Sequence, residues 1–225
     1  MRFSIVIPSY RHPDLVSQIL MDIYQNCTAD EVIVVDDFSQ DEKTFDTYKF
    51  WQRIDSFPLK IIHLPENVGF LKASNRGLQE AAGDIVALIS NDVRIKKDLK
   101  KVTEEIIKTS LDKILLGGRL FDFDTGWNVF DGKVFPYIEG WALITTKLGW
   151  TTLGYFDEQF APNDYEDVDL STTALSIGYE LKTFAPWQGD VLEHIGAQSI
   201  GYTDERWAIT EAHRELFRKK WANNG

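Results

Sequence analysis

Four short apolar runs constrain this chain more than anything else in it. They are Phe3-Ser4-Ile5-Val6-Ile7, Val32-Ile33-Val34-Val35, residues 59–63 and Ile85-Val86-Ala87-Leu88-Ile89. Between them the spacing turns helical. Leu15, Ile19, Leu20 and Ile23 make a stripe after Pro13, which suits the first turn of a helix. A polar helix is expected over 42–54. Phe70, Ala73, Gly77 and Ala81 keep helical spacing up to Gly83, and 97–109 reads as another amphipathic helix. Continuous apolar strands alternating with helices imply an α/β fold with a mostly parallel sheet and right-handed crossovers.

The second half changes character. Strands are expected at 113–118 and 139–144, and between them 119–135 is aromatic and turn-rich (Thr125-Gly126, Asp131-Gly132), which reads as a hairpin. A turn at Gly154-Tyr155-Phe156-Asp157, a helix over 166–177, short strands at 181–185 and 191–194 and a closing helix over 206–221 follow. No repeat, low-complexity segment or linker interrupts the chain. The expectation is one domain over 1–225, with a nucleotide-binding half to about residue 112 and a smaller, mixed, acceptor-side half beyond it.

A net charge of −11 with no basic stripe excludes a nucleic-acid binder. It also means that an anionic substrate needs local help from a metal, helix N-termini or a few bases. Cys27 is the single cysteine, so no internal disulfide forms, and a reducing, cytoplasmic setting is expected. No stretch is long and apolar enough to span a bilayer, and the N-terminus lacks a signal-segment pattern.

Polar clusters fall where an open α/β sheet binds ligands, beyond the carboxyl ends of its strands. Pro8-Ser9-Tyr10 follows the first strand and Asp36-Asp37 the second. Carboxylates there accept from a base or a ribose hydroxyl, or else they cap a turn. Ser90-Asn91-Asp92 ends the fourth strand; Asp92 is a hard oxygen ligand for a divalent cation, or a helix cap. Asn163-Asp164-Tyr165-Glu166-Asp167-Val168-Asp169 opens a helix. Asn163 with Glu166 fits a capping box, whereas Asp167 shares a face with Leu170 and Ala174, where a carboxylate is poised as a general base. His194 ends a short apolar strand and could complete a site begun by Asp92. Neither G-x-G-x-x-G nor a Walker A loop is present.

Taken in order, Ser4-Ile5-Val6-Ile7-Pro8-Ser9-Tyr10, Val34-Val35-Asp36-Asp37-Phe38-Ser39, Asn67-Val68-Gly69-Phe70 with Ala73, Asn75 and Gly77, Ser90-Asn91-Asp92, Tyr155-Phe156-Asp157-Glu158 with Phe160, and Glu166-Asp167-Val168-Asp169-Leu170 resemble the inverting glycosyltransferases of family 2, which have the GT-A fold. The Asn-x-Gly-Phe block followed by Asn-Asp-Val is most similar to a rhamnosyltransferase-type branch. The compact form also resembles the catalytic domains that large DNA viruses use on capsid glycans, which would place the protein in a host cytoplasm.

The resemblance implies a Rossmann-like nucleotide-diphospho-sugar transferase. Pro8, Ser9, Tyr10, Asp36 and Asp37, with Asn67 and Asn91, would hold the nucleoside side of a UDP- or dTDP-sugar. Lys72, Asn75 and Arg76 would lie near the diphosphate or sugar. Asp92 matches the last carboxylate of the family's D-x-D motif, and His194 a histidine that completes the metal site in some members. Asp167 would be the catalytic base, with Glu166 and Asp169 as neighbours, acting on a glycan or glycoprotein acceptor. Ser90 stands where the family more often has Asp, which puts metal affinity in question. Mg²⁺ needs only one or two carboxylates plus substrate phosphates, and Mn²⁺ tolerates a mixed N/O set. Two alternatives remain at this level. One is a nucleotide-sugar-binding module with weak or no catalysis, which the missing carboxylate favours. The other is a sugar-nucleotide nucleotidyltransferase, which the absence of a glycine-rich loop after the first strand disfavours.

Overall fold

The computed structural model describes residues 1–107, 113–184, 188–196 and 203–222. Its first half alternates as expected: β1 (Phe3–Ser9), α1 (Pro13–Asn26), β2 (Glu31–Asp36), α2 (Glu42–Gln52), β3 (Leu59–His63), α3 (Phe70–Glu80) and β4 (Ile85–Ile89). Then come β5 (Val93–Ile95), α4 (Leu99–Ile107), β6 (Ile114–Gly117), β7 (Leu120–Phe121), β8 (Val129–Phe130), β9 (Lys133–Val134), β10 (Tyr137–Ile138) and β11 (Ala142–Thr146). The chain closes with α5 (Lys147–Leu153), α6 (Glu166–Ser176), β12 (Glu180–Thr183), α7 (Gln188–Val191), β13 (Leu192–His194) and α8 (Asp204–Phe217).

Strands from both halves build one seven-stranded sheet in the order β12-β6-β11-β4-β1-β2-β3. All neighbours run parallel except β11, which is antiparallel to β4 and to β6. Alternation along each strand divides the core between two faces. Ile5, Ile7, Val32 and Val34 pack with Ile19, Ile23 and Trp51 on one side. Val6, Ile33 and Val35 pack with Leu71, Leu78 and Trp150 on the other. Helix α3 lies so close to the sheet that a Cβ at Gly77 would come within 2.3 Å of Val6 Cγ1. β4 is buried along its whole length, as its unbroken apolar run requires.

Several expectations need correction. The expected strand at 139–144 begins only at Ala142, because Glu139-Gly140-Trp141 turns across the carboxyl edge of β4, with Ser90 N–H donating to Trp141 O over 2.8 Å. Helix α5 was not foreseen. Its signals were Thr146, whose hydroxyl caps Gly149 N–H at 2.9 Å, and Gly154, which ends it in the left-handed region. The helix expected over 97–109 starts two residues later, and its last two residues, like Ala185 of an expected strand, lie outside the described residues. No helix of the described residues is long and apolar enough to cross a membrane.

Candidate active site

Because β11 runs antiparallel to β4, its entry meets the carboxyl ends of β1, β2 and β4 at one edge. There the described residues surround an open cavity of about 650 Å³. Pro8, Ser9, Tyr10, Asp37, Asn67, Asn91, Asp92, Glu166, Asp167 and His194, all anticipated from sequence, line it.

Asp37 anchors the β2 side. Its carboxylate accepts from Val68 N–H at 2.7 Å and Gly69 N–H at 2.9 Å, while Asn67 Nδ2 donates to Asp37 O at 3.1 Å. Burial pushes the Asp37 carboxyl up; the two N–H donors restrain the rise and the neighbouring Asp36 adds to it. Gly69 takes φ +84 and ψ 167, and a Cβ there would meet Pro162 Cβ at 2.6 Å. Only glycine fits that backbone and that space.

Not every anticipated residue reaches the cavity. Asp36 turns to the opposite side, taking Tyr48 OH at 3.1 Å and facing His63 Nδ1 at 3.0 Å. Asn75 spends both ends of its amide on the backbone of Phe156, at 2.9 and 3.0 Å, and so ties α3 to the turn before α6. Lys72 and Arg76 fall on the exposed face of α3, where Arg76 pairs with Glu80 at 3.0 Å. The cavity sees Gly69, Phe70 and Ala73 of this segment instead. Asp169 points into a separate cluster with Lys220 and Trp221.

On the β4 side, a strand rather than a helix follows Ser90-Asn91-Asp92, so the helix-cap alternative for Asp92 is not realised. β5 pairs antiparallel with β13, setting Val93 opposite His194, and Ile195 N–H returns to Asp92 O at 3.0 Å. His194 Nε2 thereby stands 3.4 Å from Asp92 Oδ1. Its ring lies flat on Trp141, with centroids 5.0 Å apart and planes at 13°. Asn91 Nδ2 reaches Ser9 Oγ at 3.3 Å. A carboxylate oxygen and an imidazole nitrogen face each other across more than a normal hydrogen bond. That donor pair fits a divalent cation of the Mn²⁺ type. Among the described residues no group of three or more His, Cys, Asp or Glu could hold a metal, so the remaining ligands would have to come from substrate oxygens or water.

On the third side, Asp164 and Tyr165 both adopt positive φ, at 71 and 73, and α6 starts without a side-chain cap. The capping box expected of Asn163 and Glu166 therefore does not form. Among the described residues, Glu166 Oε2 is buried without a hydrogen-bond partner. Asp167 accepts from Gly140 N–H at 3.0 Å and from Val168 N–H at 2.8 Å. Burial raises it to about 7, against the pull of those two donors and with the charges of Glu139 and Asp164 adding to the rise. Glu166 rises well above the ordinary glutamate range, first through burial and then through Asp167 beside it. Burial thus shifts both neighbouring carboxyls in the same direction, upward, and each carboxylate's charge opposes ionisation of its neighbours. Arg206 of α8 holds Asp164 with two contacts, at 3.0 and 2.7 Å, and Thr210 adds a third at 2.6 Å.

Sequence reasoning missed Glu139, Gly140, Trp141, Asp164 and Arg206 as lining residues. Only the acidic string 164–169 carried a signal for any of them.

A Rossmann-like sheet with this edge cavity is the GT-A fold. The chain belongs to glycosyl transferase family 2, whose sequence model matches residues 4–165. That match ends one residue before Glu166, so the assignments at Asp167 and His194 rest on the geometry above. The chain is 33% identical over 109 residues to the putative teichuronic acid biosynthesis glycosyltransferase TuaG of Bacillus subtilis, covering 48% of this chain and 42% of that protein. It is 29% identical over 123 residues to a dolichol-phosphate mannosyltransferase of Pyrococcus furiosus, covering 53% and 33%. Each alignment thus spans less than half of the relative's own length. Among solved structures, the mannosyltransferase PcManGT of Pyrobaculum calidifontis, in complex with GDP-Man and Mn²⁺, superposes with a TM-score of 0.71 at 22% identity, over 100% of this chain and 65% of that one. Staphylococcus aureus TarS in complex with UDP-GlcNAc gives 0.68 at 19% identity, over 99% and 72%. At these identities the structural likeness speaks to the fold.

Proposed function

We propose that the protein is a metal-dependent inverting glycosyltransferase that moves a hexose or 6-deoxyhexose from a nucleotide-diphosphate donor to a hydroxyl of a glycan. One observation carries this reading. Asp167, a half-buried carboxyl held by two N–H donors and raised to about 7 by desolvation, shares a cavity with the facing pair Asp92 and His194.

The nucleoside side of the donor lies along Pro8, Ser9, Tyr10, Asp37 and Asn67, with its diphosphate toward Asp92 and His194. Asp92 and His194 are the residues that would hold a divalent cation here, and it would supply charge neutralisation for the leaving diphosphate. Asp167 takes the proton of the acceptor hydroxyl. The freed oxygen attacks the anomeric carbon on the face opposite the diphosphate. The new glycosidic C–O bond forms as the bond to the diphosphate breaks, so the anomeric configuration inverts. Glu166, raised further by its burial and by Asp167 beside it, is the poorer base of the two. The donors named in the neighbours' complexes, GDP-Man and UDP-GlcNAc, support a UDP or GDP carrier; a dTDP carrier rests on the sequence resemblance. A rhamnosyl donor and a viral setting rest on the sequence resemblance alone.

The test is to incubate the protein with Mn²⁺ and a panel of UDP-, dTDP- and GDP-sugars. Release of nucleoside diphosphate from at least one donor, and inversion in the transferred product by NMR, is the expected result. Nucleotide binding without release from any donor would make the protein a binding module.

A further inference from the structure

A second hollow, of about 310 Å³, opens on the far side of Glu166 and Asp167. The main cavity does not use its outer wall, where Trp127 and Trp207 lie together with centroids 5.4 Å apart and planes at 32°. These indoles are 39% and 45% exposed. An exposed aromatic pair beside polar groups marks a binding groove rather than a packed core.

The turn that carries Trp127 is tied down by hydrogen bonds. Asn128, fully buried, accepts from Thr125 N–H and Oγ1 at 3.0 and 2.8 Å and donates to Phe123 O and Phe135 O, both at 3.1 Å. Tyr165 OH donates to Trp127 O at 2.8 Å, so the turn is fastened to the residue that opens α6. Trp207 stands on α8 beside Arg206, which grips Asp164. Both indoles are therefore positioned from the segment that presents Asp167. A preorganised platform binds without ordering itself first.

Charge selects the occupant. Among the described residues lining this hollow, Glu139, Asp164, Glu166 and Asp167 are acidic and Arg206 is the one base. Its guanidinium is already engaged by Asp164. With Asp164 engaged by Arg206 and ionisation of Glu166 disfavoured by burial, a phosphate or uronate would still meet the Glu139 and Asp167 carboxyls, whereas a ring with apolar C–H faces and neutral hydroxyls would not. Indoles offer a flat apolar face to such a ring.

We propose that Trp127 and Trp207 form the acceptor platform: they stack a neutral pyranose whose hydroxyl reaches Asp167. This rests on the transferase reading above and adds the site and the charge class of its acceptor.

The test is saturation-transfer NMR in the presence of UDP and Mn²⁺. The probes are neutral methyl pyranosides (glucoside, galactoside, mannoside, rhamnoside and N-acetylglucosaminide) and, for comparison, methyl glucuronide and glucose 6-phosphate. Ring protons of at least one neutral glycoside are expected to saturate more strongly than those of either anionic sugar. Binding should weaken by about tenfold in Trp127→Ala/Trp207→Ala, the loss of buried aromatic contact, and be largely retained in Trp207→Phe. UDP binding in the main cavity, which neither indole lines, checks that the variants are folded. The proposal is overturned by saturation that survives the double variant, by preference for an anionic sugar, or by no saturation at all. Donor turnover by the unaltered protein decides the transferase reading separately. Indole-dependent pyranoside binding without turnover would leave the platform standing and remove the enzyme.

Discussion

The backbone N–H of Gly140 donates to the Asp167 carboxylate at 3.0 Å. A Cβ at position 140 would stand 3.4 Å from Asp167 Cβ and 3.3 Å from Glu166 Oε1. The entry to β11 is thus laid directly on the two carboxyls, which burial drives in the same direction. Transfer is therefore expected to rise with pH and to level above about 7, where Asp167 is ionised. Asp167→Asn should lower kcat by roughly 10²–10⁴-fold while leaving donor affinity near the unaltered value. A pH–rate profile with the variant alongside checks both. An unchanged kcat would remove Asp167 as the base.

The same raised carboxyl makes a stability prediction of opposite sense. A folded-state value above the ordinary aspartate value of 3.8 means that ionisation costs the folded protein. The low-pH stability is complete below 3.8 and is lost progressively as pH rises through about 7. Asp167→Asn escapes that loss. It should be more stable than the unaltered protein at pH 8, by an amount on the order of a few kcal/mol at about 1.4 kcal/mol per pKa unit. At pH 4 the gain should nearly vanish. Urea denaturation of both proteins at the two pH values measures the difference.

Asp92 and His194 face each other at 3.4 Å on the edge of the cavity. If they hold a cation against a diphosphate, Asp92→Ala and His194→Ala should each weaken Mn²⁺-dependent UDP or GDP binding by at least about tenfold, equivalent to ~1.4 kcal/mol. Chelator should reduce affinity in the unaltered protein and have little further effect in the variants. Titration calorimetry with and without EDTA reads this out. Affinity indifferent to both the chelator and the substitutions would rule out the metal site.

Gly69 combines a backbone open essentially to glycine with the 2.6 Å approach of its would-be Cβ to Pro162 Cβ. Gly69→Ala has to break one or the other. The expected cost is about 2–4 kcal/mol, together with weaker nucleotide binding, because Gly69 N–H is one of the two donors on Asp37. Thermal melting and nucleotide titration of the variant test both parts.

Legibility in the sequence followed the range of the interactions. The alternating strands and helices, and the placing of Asp37, Asp92 and Asp167 near one edge, follow from local periodicity and the rule that α/β sites lie beyond strand ends. Which of Asp36 and Asp37 faces the cavity does not, because the residue that leaves a strand is no longer bound by its alternation. Lys72 and Arg76 stand outside the cavity lining for a different reason. They lie four apart on the exposed side of α3, about 100° round the helix from Ala73 and Gly77, which press on the sheet, and helical phase is what sets them in solvent. Glu139, Gly140, Trp141 and Arg206 reach the cavity only through the antiparallel insertion of β11 and the docking of α8. Those are long-range events with no local signature.

Asp169 shows where an acidic motif divides between chemistry and architecture. One helical turn carries Asp167 and Asp169, yet they serve different neighbours. Asp169 accepts from Trp221 Nε1 at 2.7 Å and lies 2.9 Å from Lys220 Nζ, which also reaches Asp157 at 2.8 Å. Burial pushes its carboxyl up, and the Trp221 and Lys220 contacts oppose the rise. It anchors the C-terminal segment to α6 and the turn before it, away from the cavity. Asp169→Asn keeps one acceptor oxygen for Trp221 but removes one of the two carboxylates that Lys220 contacts. The lost Lys220 contact and the relief of a buried carboxylate act in opposite directions, so stability should change by no more than about 1 kcal/mol, while kcat stays within about twofold, as for a residue outside the reacting groups. Denaturation and steady-state kinetics on the one variant separate the two roles. A large fall in kcat with unchanged stability would return Asp169 to the catalytic wall.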